Sequence, residues 1–148
     1  MIPPILDRPY TAASVKRPIK VGESIRLNLG GAGEGYLDSH VEGFLTVDLR
    51  DTPGTDIIAD ASDLCLFKGN SVDAIFASQI LEHWPIGRTI TVLKEWRRVL
   101  KQGAKLYLSV PDFDVAVKLY KAFGLTPWLK YHIWGDQKHP LNFHYVSF

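Results

Sequence analysis

The 148-residue chain contains a single cysteine, no cluster of basic residues and no long apolar run. One cysteine, Cys65, cannot form an intramolecular disulfide, and its isolation fits a reducing compartment such as the cytoplasm. The formal net charge is only +1, and no basic stripe offers a footprint for nucleic acid or for an anionic membrane surface. No apolar run approaches the roughly eighteen residues that a membrane span requires. We therefore expect a soluble cytoplasmic protein with neither nucleic acid nor a membrane as partner.

The length corresponds to one domain. Residues 1–22 are proline-rich and show no sustained periodicity, so we interpret them as an irregular N-terminal arm. The domain itself is expected over residues 23–148.

Stretches typical of strands alternate along the domain with stretches typical of helices. Strands are predicted at residues 25–29, 44–48, 56–60, 72–78 and 105–110, and helices at 90–100 and 115–123. Gly103 is predicted to cap the first of these helices at its C-terminal end. The alternation predicts an α/β fold with a Rossmann-like, doubly wound and mostly parallel sheet. Residues 126–148 are rich in aromatics and histidines and have no clean period, which indicates a loop.

Three features follow the carboxyl ends of predicted strands, where open α/β sheets bind their ligands. A glycine-rich loop at residues 30–35 follows the first strand, Asp48 ends the second, and Asp60 ends the third. Glycines let a ligand approach the backbone. A carboxylate at Asp48 can accept hydrogen bonds from a ribose diol, and one at Asp60 can accept from the exocyclic amine of adenine. Together they predict a pocket for an adenosine.

The loop does not complete a dinucleotide-binding fingerprint. The pattern G-x-G-x-x-G, read from Gly31, continues through Gly33 but meets Tyr36 in place of the third glycine. No P-loop lysine follows either. A nucleoside ligand without a pyrophosphate is therefore favoured, and an NAD-dependent oxidoreductase is the less favoured alternative.

Several short motifs resemble, in order, those of class I S-adenosylmethionine-dependent methyltransferases. They are Leu27-Asn28-Leu29-Gly30, Val47-Asp48, Asn70-Ser71-Val72-Asp73, the segment from Ser78 to His83, Arg98-Val99-Leu100-Lys101-Gln102-Gly103 and Ser109-Val110-Pro111-Asp112. More narrowly, the chain resembles short bacterial predicted methyltransferases often found near polysaccharide-biosynthesis genes. It departs from the family pattern at Asn28, where many relatives carry an acid, and at Ala32, which replaces a loop glycine.

The resemblance implies S-adenosylmethionine as the cofactor. It implies that three glycines lie against the methionine part, that Asp48 holds the ribose hydroxyls, and that Asp60 faces the adenine edge. The full set of implied cofactor-binding residues is Gly30, Gly31, Gly33, Asp48, Leu49, Asp60, Ala61, Ser78 and Gln79.

Methyl transfer requires a protein base only if the acceptor must lose a proton, because the sulfonium already activates the methyl group. His83 and Asp112 are the candidate catalytic residues. Two alternatives stay open at this point: His83 caps a helix or bonds a backbone carbonyl, and Asp112 is a turn residue beside Pro111. Glu82 is interpreted as structural.

The C-terminal segment contains His132, Asp136, His139 and His144. Their spacing matches no established metal-binding pair and no cysteine accompanies them, so we expect no metal. The matching family segment also carries glycine, glutamine, histidine and asparagine. Acceptor contacts are therefore expected from four residues: Gln137, His139, Asn142 and His144.

The function expected from these observations is methyl transfer from S-adenosylmethionine to a small-molecule or glycan-type acceptor. A non-catalytic Rossmann-like binding domain remains a second alternative beside the NAD-dependent enzyme. Class I methyltransferases usually end in an antiparallel strand pair, and residues 111–148 show no hairpin signal, so we expect the domain to lack that pair. The edge of the strand at 105–110 would then be covered by the N-terminal arm or by a second copy in a homodimer.

Overall fold

The computed structural model of the protein describes residues 14–20, 22–31, 40–135, 137 and 142–145. Their strands are β1 (Ser14–Val15), β2 (Arg26–Leu29), β3 (Leu45–Asp48), β4 (Ile57–Ile58), β5 (Val72–Ser78) and β6 (Leu100–Ser109). Their helices are α1 (Ile86–Val99), α2 (Phe113–Phe123) and α3 (Pro127–Trp134), and a short 3-10 turn covers Leu81–His83.

The six strands form one sheet in the order β1-β4-β3-β2-β5-β6. Strands β2 to β6 pair in parallel with their neighbours, and β1 alone is antiparallel to β4. This arrangement confirms the predicted α/β, Rossmann-like and mostly parallel fold. The chain moves outward from β2 through β3 to β4 and then returns to place β5 on the other side of β2. The strand order therefore reverses between β2 and β5, which is where such sheets bind ligands.

The core lies between the central strands and α1. All four residues of β3 are buried, as expected for a parallel strand covered on both faces. Helix α1 presents Val92, Trp96 and Val99 to the sheet at helical spacing, and all three are buried. The Trp96 indole donates a hydrogen bond of 2.7 Å to the carbonyl of Ala61, which ties α1 to the loop that follows β4.

Two of the motifs that carry the family resemblance, at residues 70–73 and 98–103, make hydrogen bonds that connect separate parts of this fold. The Asp73 carboxylate accepts a hydrogen bond from the backbone N–H of Ile25 at 2.8 Å and one from the Lys101 ammonium at 2.6 Å. The Lys101 hydrogen bond holds the pKa of Asp73 below its ordinary value. The Arg98 guanidinium donates to the carbonyls of Leu64 and Phe67. Asp73 thus joins β5 to β6 and to the start of β2, and Arg98 joins α1 to the loop that follows β4.

The prediction that Gly103 caps a helix was wrong. Helix α1 ends at Val99, and β6 begins at once with Leu100. Gly103 lies inside β6 with φ of +78°, where the pairing with β5 is irregular between Val72–Leu100 and Ala74–Lys105. Glycine is favoured there because L-residues rarely adopt a positive φ.

The structure also contains a helix where the sequence predicted a loop. Helix α3 begins after Thr126, whose hydroxyl accepts a hydrogen bond of 3.2 Å from the backbone N–H of Leu129. It ends at Trp134 and is capped by Gly135, which has φ of +73°. Periodicity missed this helix because apolar and aromatic residues occur on all its sides, although the capping residues were present in the sequence.

One edge of the sheet is formed by a strand of the N-terminal arm, and the other is formed by β6. The described part of the N-terminal arm supplies β1, which pairs with β4 and so lies at the edge opposite β6. In the described ranges no strand pairs with the outer edge of β6. Leu106, Tyr107 and Leu108 of β6 are 38%, 47% and 42% exposed. The described part of the N-terminal arm therefore does not cover the edge of β6, which we expected either the arm or a second copy of the chain to cover.

Candidate functional site

The carboxyl ends of β2, β3 and β5 meet at one edge of the sheet. Gly30 follows β2, Asp48 ends β3, and Ser78 ends β5. The backbone N–H of Gly30 donates to the carbonyl of Val47 at 2.8 Å, which fixes the start of the glycine loop beside Asp48. The structure thus brings together predicted site residues that are up to 48 positions apart in the sequence.

Two of the predicted glycines are required by close packing at this edge. Gly30 has φ of +71°, and a Cβ there would lie 2.5 Å from Cδ1 of Ile80. A Cβ at Gly31 would lie 2.0 Å from Nδ2 of Asn28, so the buried Asn28 amide packs directly on the Gly31 backbone. Gly33 lies outside the described residues.

Asp48 is buried and is bound by a residue that the sequence analysis did not single out. Arg50 donates three hydrogen bonds to it: its backbone N–H to Oδ1 at 2.8 Å, Nε to Oδ1 at 3.0 Å, and Nη2 to Oδ2 at 3.0 Å. An arginine two residues after the strand-terminal acid was the available signal. A ribose diol at Asp48 would compete with the Arg50 guanidinium for the same oxygens.

The remaining predicted cofactor-binding residues lie in or next to the loops that follow β3, β4 and β5. Asp60 Oδ1 accepts hydrogen bonds of 2.7 Å from both the N–H and the hydroxyl of Ser62. The Ser78 and Ser109 hydroxyls are 2.8 Å apart. Gln79 is exposed and has φ of +54°, an uncommon conformation for a residue other than glycine. Leu49 is half-buried and Ala61 is buried.

Asp112 has a structural role in the fold. Its Oδ1 accepts a hydrogen bond of 2.9 Å from the backbone N–H of Val115 and so caps α2 at its N-terminus. Asp112 is therefore a helix N-cap, which is a structural role different from the turn residue that was the alternative. Its assignment as a catalytic residue gains no support from this geometry.

Glu82, His83 and His144 form a cluster just beyond the end of β5. The Nδ1 atom of His83 lies 3.1 Å from the carbonyl oxygen of Phe143, and Nδ1 of His144 lies 3.0 Å from the carbonyl oxygen of His132. Nε2 of His144 is 4.0 Å from Oε1 of Glu82. The two imidazoles meet edge to face with their centres 4.8 Å apart.

Burial dominates the electrostatics of this cluster. The Glu82 side chain is fully buried, and burial raises the pKa of its carboxyl to about 7. Burial, with the charges of His144 and Arg50, lowers the pKa of His83 to about 4 against the opposing effect of the Phe143 and Gln79 carbonyls. Burial also lowers the pKa of His144. Both imidazoles are therefore neutral near pH 7.

The sequence analysis considered His144 only together with the other C-terminal residues. Its partners in this cluster, Glu82 and His83, are about sixty positions away, and no local spacing signals them. Of the other residues expected to contact an acceptor, Gln137 is exposed, Asn142 is half-buried and His139 lies outside the described residues. One of the interpretations offered for His83, that it bonds a backbone carbonyl, matches its contact with Phe143.

One comparison with known proteins agrees with this fold. A family model described as a methyltransferase domain matches residues 39–108, which run from before β3 almost to the end of β6. A comparison with curated proteins found no match. In the part of the chain that the structure describes, no helix is both long enough and apolar enough to cross a membrane. The match and the Rossmann-like sheet together support a methyltransferase with a class I fold.

Proposed function

We propose that this protein binds S-adenosylmethionine and transfers its methyl group to a small-molecule or glycan-type acceptor. One observation carries the proposal: Asp48 lies at the carboxyl end of β3, directly beside the Gly30–Gly31 turn that follows β2, and the strand order reverses on the other side of β2. The methyltransferase-domain match supports the same reading. An exposed, unpaired Cys65 supports the proposed cytoplasmic location.

The residues at this edge fit a nucleoside cofactor. Asp48 would hold the ribose hydroxyls, Asp60 and Ala61 would face the adenine, and the backbone of Gly30 and Gly31 would contact the methionine part. Arg50 would release the Asp48 carboxylate as the ribose binds. When bound, S-adenosylmethionine supplies a methyl group already activated by its sulfonium, so the chain mainly positions the acceptor and excludes water.

His83 remains the candidate base for an acceptor that must lose a proton. Its ring is neutral, which is the state that accepts a proton, but a pKa of about 4 makes it a weak proton acceptor. An acceptor nucleophile that carries no proton to lose would need no base. Contacts from Gln137, Asn142 and His144 would orient the acceptor.

Calorimetry with S-adenosylmethionine, S-adenosylhomocysteine and NAD, measured side by side, tests the proposal. We expect both sulfur cofactors to bind and Asp48→Ala to lose at least about tenfold in affinity, because a charge-assisted hydrogen bond contributes roughly 1.5–3 kcal/mol. Asp114→Ala removes an exposed carboxylate on α2 and is the matched control. Tighter binding of NAD than of S-adenosylhomocysteine would contradict the proposal. Cofactor binding without turnover on any acceptor would favour a non-catalytic domain.

A further inference from the structure

Three potential metal ligands converge where the C-terminal segment returns to the sheet. One ligand atom from each of Glu82, His83 and His144 lies within 4.8 Å of the other two. Two features hold them there: Glu82 and His83 share the 3-10 turn after β5, and the backbone N–H of Tyr145 donates to the Glu82 carbonyl at 2.8 Å. The cluster therefore belongs to the tertiary fold and not to a single loop.

Both imidazoles are oriented as metal-binding imidazoles usually are. Each places Nδ1 at hydrogen-bond distance from a backbone carbonyl, at Phe143 for His83 and at His132 for His144. A carbonyl oxygen can only accept, so Nδ1 carries the proton and Nε2 keeps its lone pair. A ligating histidine almost always donates its second nitrogen to a carbonyl or carboxylate in this way.

The Glu82 carboxylate supplies a second, independent indication of a ligand. Its side chain is fully buried, and among the described residues neither oxygen has a hydrogen-bond partner. Within the described ranges, Nε2 of His144 approaches Glu82 Oε1 to 4.0 Å, which is beyond hydrogen-bond distance. Burying a polar group without a partner is costly, and burying an isolated carboxylate is far more so. A bound cation would remove this cost.

We propose that Glu82, His83 and His144 bind one divalent transition-metal ion. Two neutral imidazoles and one carboxylate form a ligand set that zinc uses in catalytic sites, where a fourth position is left to water or substrate. Tetrahedral zinc with bonds near 2.0–2.1 Å places its ligand atoms about 3.3 Å apart. The three side chains would therefore close inward by about an ångström on binding.

The location of the site suggests a use for the ion, and this step rests on the proposed methyl transfer. The cluster directly follows the end of β5, beside Gln79. An acceptor hydroxyl in the open coordination position would become more acidic, because a bound divalent ion lowers the pKa of the oxygen that it contacts. The ion would also join the C-terminal segment to the sheet.

Metal binding can be tested without any cofactor. The untagged full chain is freed of metal with a chelator and titrated with Zn²⁺ by calorimetry, and with Co²⁺ by visible absorption. We expect one ion per chain and the d–d bands of low-symmetry Co²⁺. Loss of a residue that only supports a metal ligand typically lowers metal affinity about 10–100-fold. Glu82→Gln and His144→Ala each remove a ligand, so each should lower the affinity for Zn²⁺ by at least this factor. His132→Ala is the control, because it removes a histidine ring but keeps the carbonyl that orients His144.

Three outcomes would overturn the site. They are the absence of Zn²⁺ binding by the unaltered chain, binding that survives in both ligand variants, and an equal loss in His132→Ala. Circular dichroism of each variant shows whether it is folded. If both ligand variants unfold, the Co²⁺ spectrum of the unaltered chain decides, since weak binding to surface oxygens gives only the faint octahedral bands. Because S-adenosylmethionine is absent throughout, failure here leaves the proposed function untouched.

Discussion

The Arg50 guanidinium contacts both carboxylate oxygens of Asp48, with two distances of 3.0 Å. A bidentate pair of this kind is geometrically specific, and it occupies the acceptor atoms that a ribose diol would use. The carboxylate is buried while the arginine is partly exposed, so Arg50 is the partner that can move.

Arg50→Ala should therefore tighten the binding of S-adenosylhomocysteine. A partly exposed ion pair contributes about 0.2–1 kcal/mol, so its removal should improve affinity by up to about fivefold. Calorimetry measures the change, and Arg88→Ala removes an exposed arginine of α1 as the control. Weaker binding in Arg50→Ala would mean that Arg50 itself contacts the cofactor.

His83→Ala tests the candidate base. If His83 accepts the proton of the acceptor, turnover should fall by about 10²–10⁴ while the affinity for S-adenosylhomocysteine stays nearly unchanged. Turnover is measured as cofactor demethylation with a panel of sugars and small alcohols. Loss of cofactor binding or of folding would assign His83 to structure. Chelator-treated unaltered protein separates the two roles, because a base would still work without metal.

Two glycines that end helices allow a matched test of how the C-terminal segment is held. Gly124 and Gly135 have φ of +71° and +73°, but a Cβ at Gly124 meets nothing within 4 Å, whereas one at Gly135 would lie 1.7 Å from the carbonyl oxygen of Asn142. Gly124→Ala should cost about 1–2 kcal/mol of stability from backbone strain alone. Gly135→Ala should cost more and should also weaken Zn²⁺ binding, because it displaces the segment that carries His144. Urea unfolding measures the loss in the free energy of unfolding for each variant. An equal loss in the two variants would contradict the expected role of Gly135.

Because no strand in the described part of the chain pairs with the outer edge of β6, we propose a homodimer that pairs along this edge. An open strand edge with apolar side chains attracts a further strand, and the arm strand β1 lies at the opposite edge. Light scattering at micromolar concentration should detect a dimer that the double variant Leu106→Glu, Leu108→Glu disrupts. Ile86→Glu with Ile90→Glu alters two exposed apolar residues of α1 as the control. A monomeric unaltered chain would exclude this arrangement.

The Asp73–Lys101 pair should make stability depend on pH in the acid range. The folded-state pKa of Asp73 is lowered, so its contribution is present above the ordinary value of 3.8 and is lost as pH falls through the folded value. Asp73→Asn should cost about 1 kcal/mol near neutral pH. The difference from the unaltered protein should shrink below pH 3.8. Urea unfolding of both proteins at neutral pH and below pH 3.8 measures this difference in the free energy of unfolding. A difference that does not change with pH would contradict the proposed role of the Asp73–Lys101 pair.

Local patterns were sufficient to predict most of the sheet. Residues 72–78 were predicted as a strand and form β5, because a parallel strand inside a covered sheet reads as a mostly apolar run. Asp48 and Gly30 were predicted to lie at one edge because parallel strands end together, and they do. The capping signals of Thr126 and Gly135 were also present, but the apolar residues of α3 follow no clear helical period, so periodicity did not find the helix.

Only the tertiary structure decided which side chains meet. The contact between His83 and the Phe143 carbonyl spans 60 positions. The approach of His144 to Glu82 spans a similar distance along the chain, and Gly135 packs closely against the Asn142 backbone beside it. Such contacts leave no periodic trace, because they are set by how α3 ends and where the chain returns. The hold of Arg50 on Asp48 is local in sequence, but it depends on the buried end of β3, which excludes water as a competitor. The tertiary fold therefore places Glu82, His83 and His144 close enough to form a candidate metal site. It also buries Asp48 where Arg50 can bind its carboxylate.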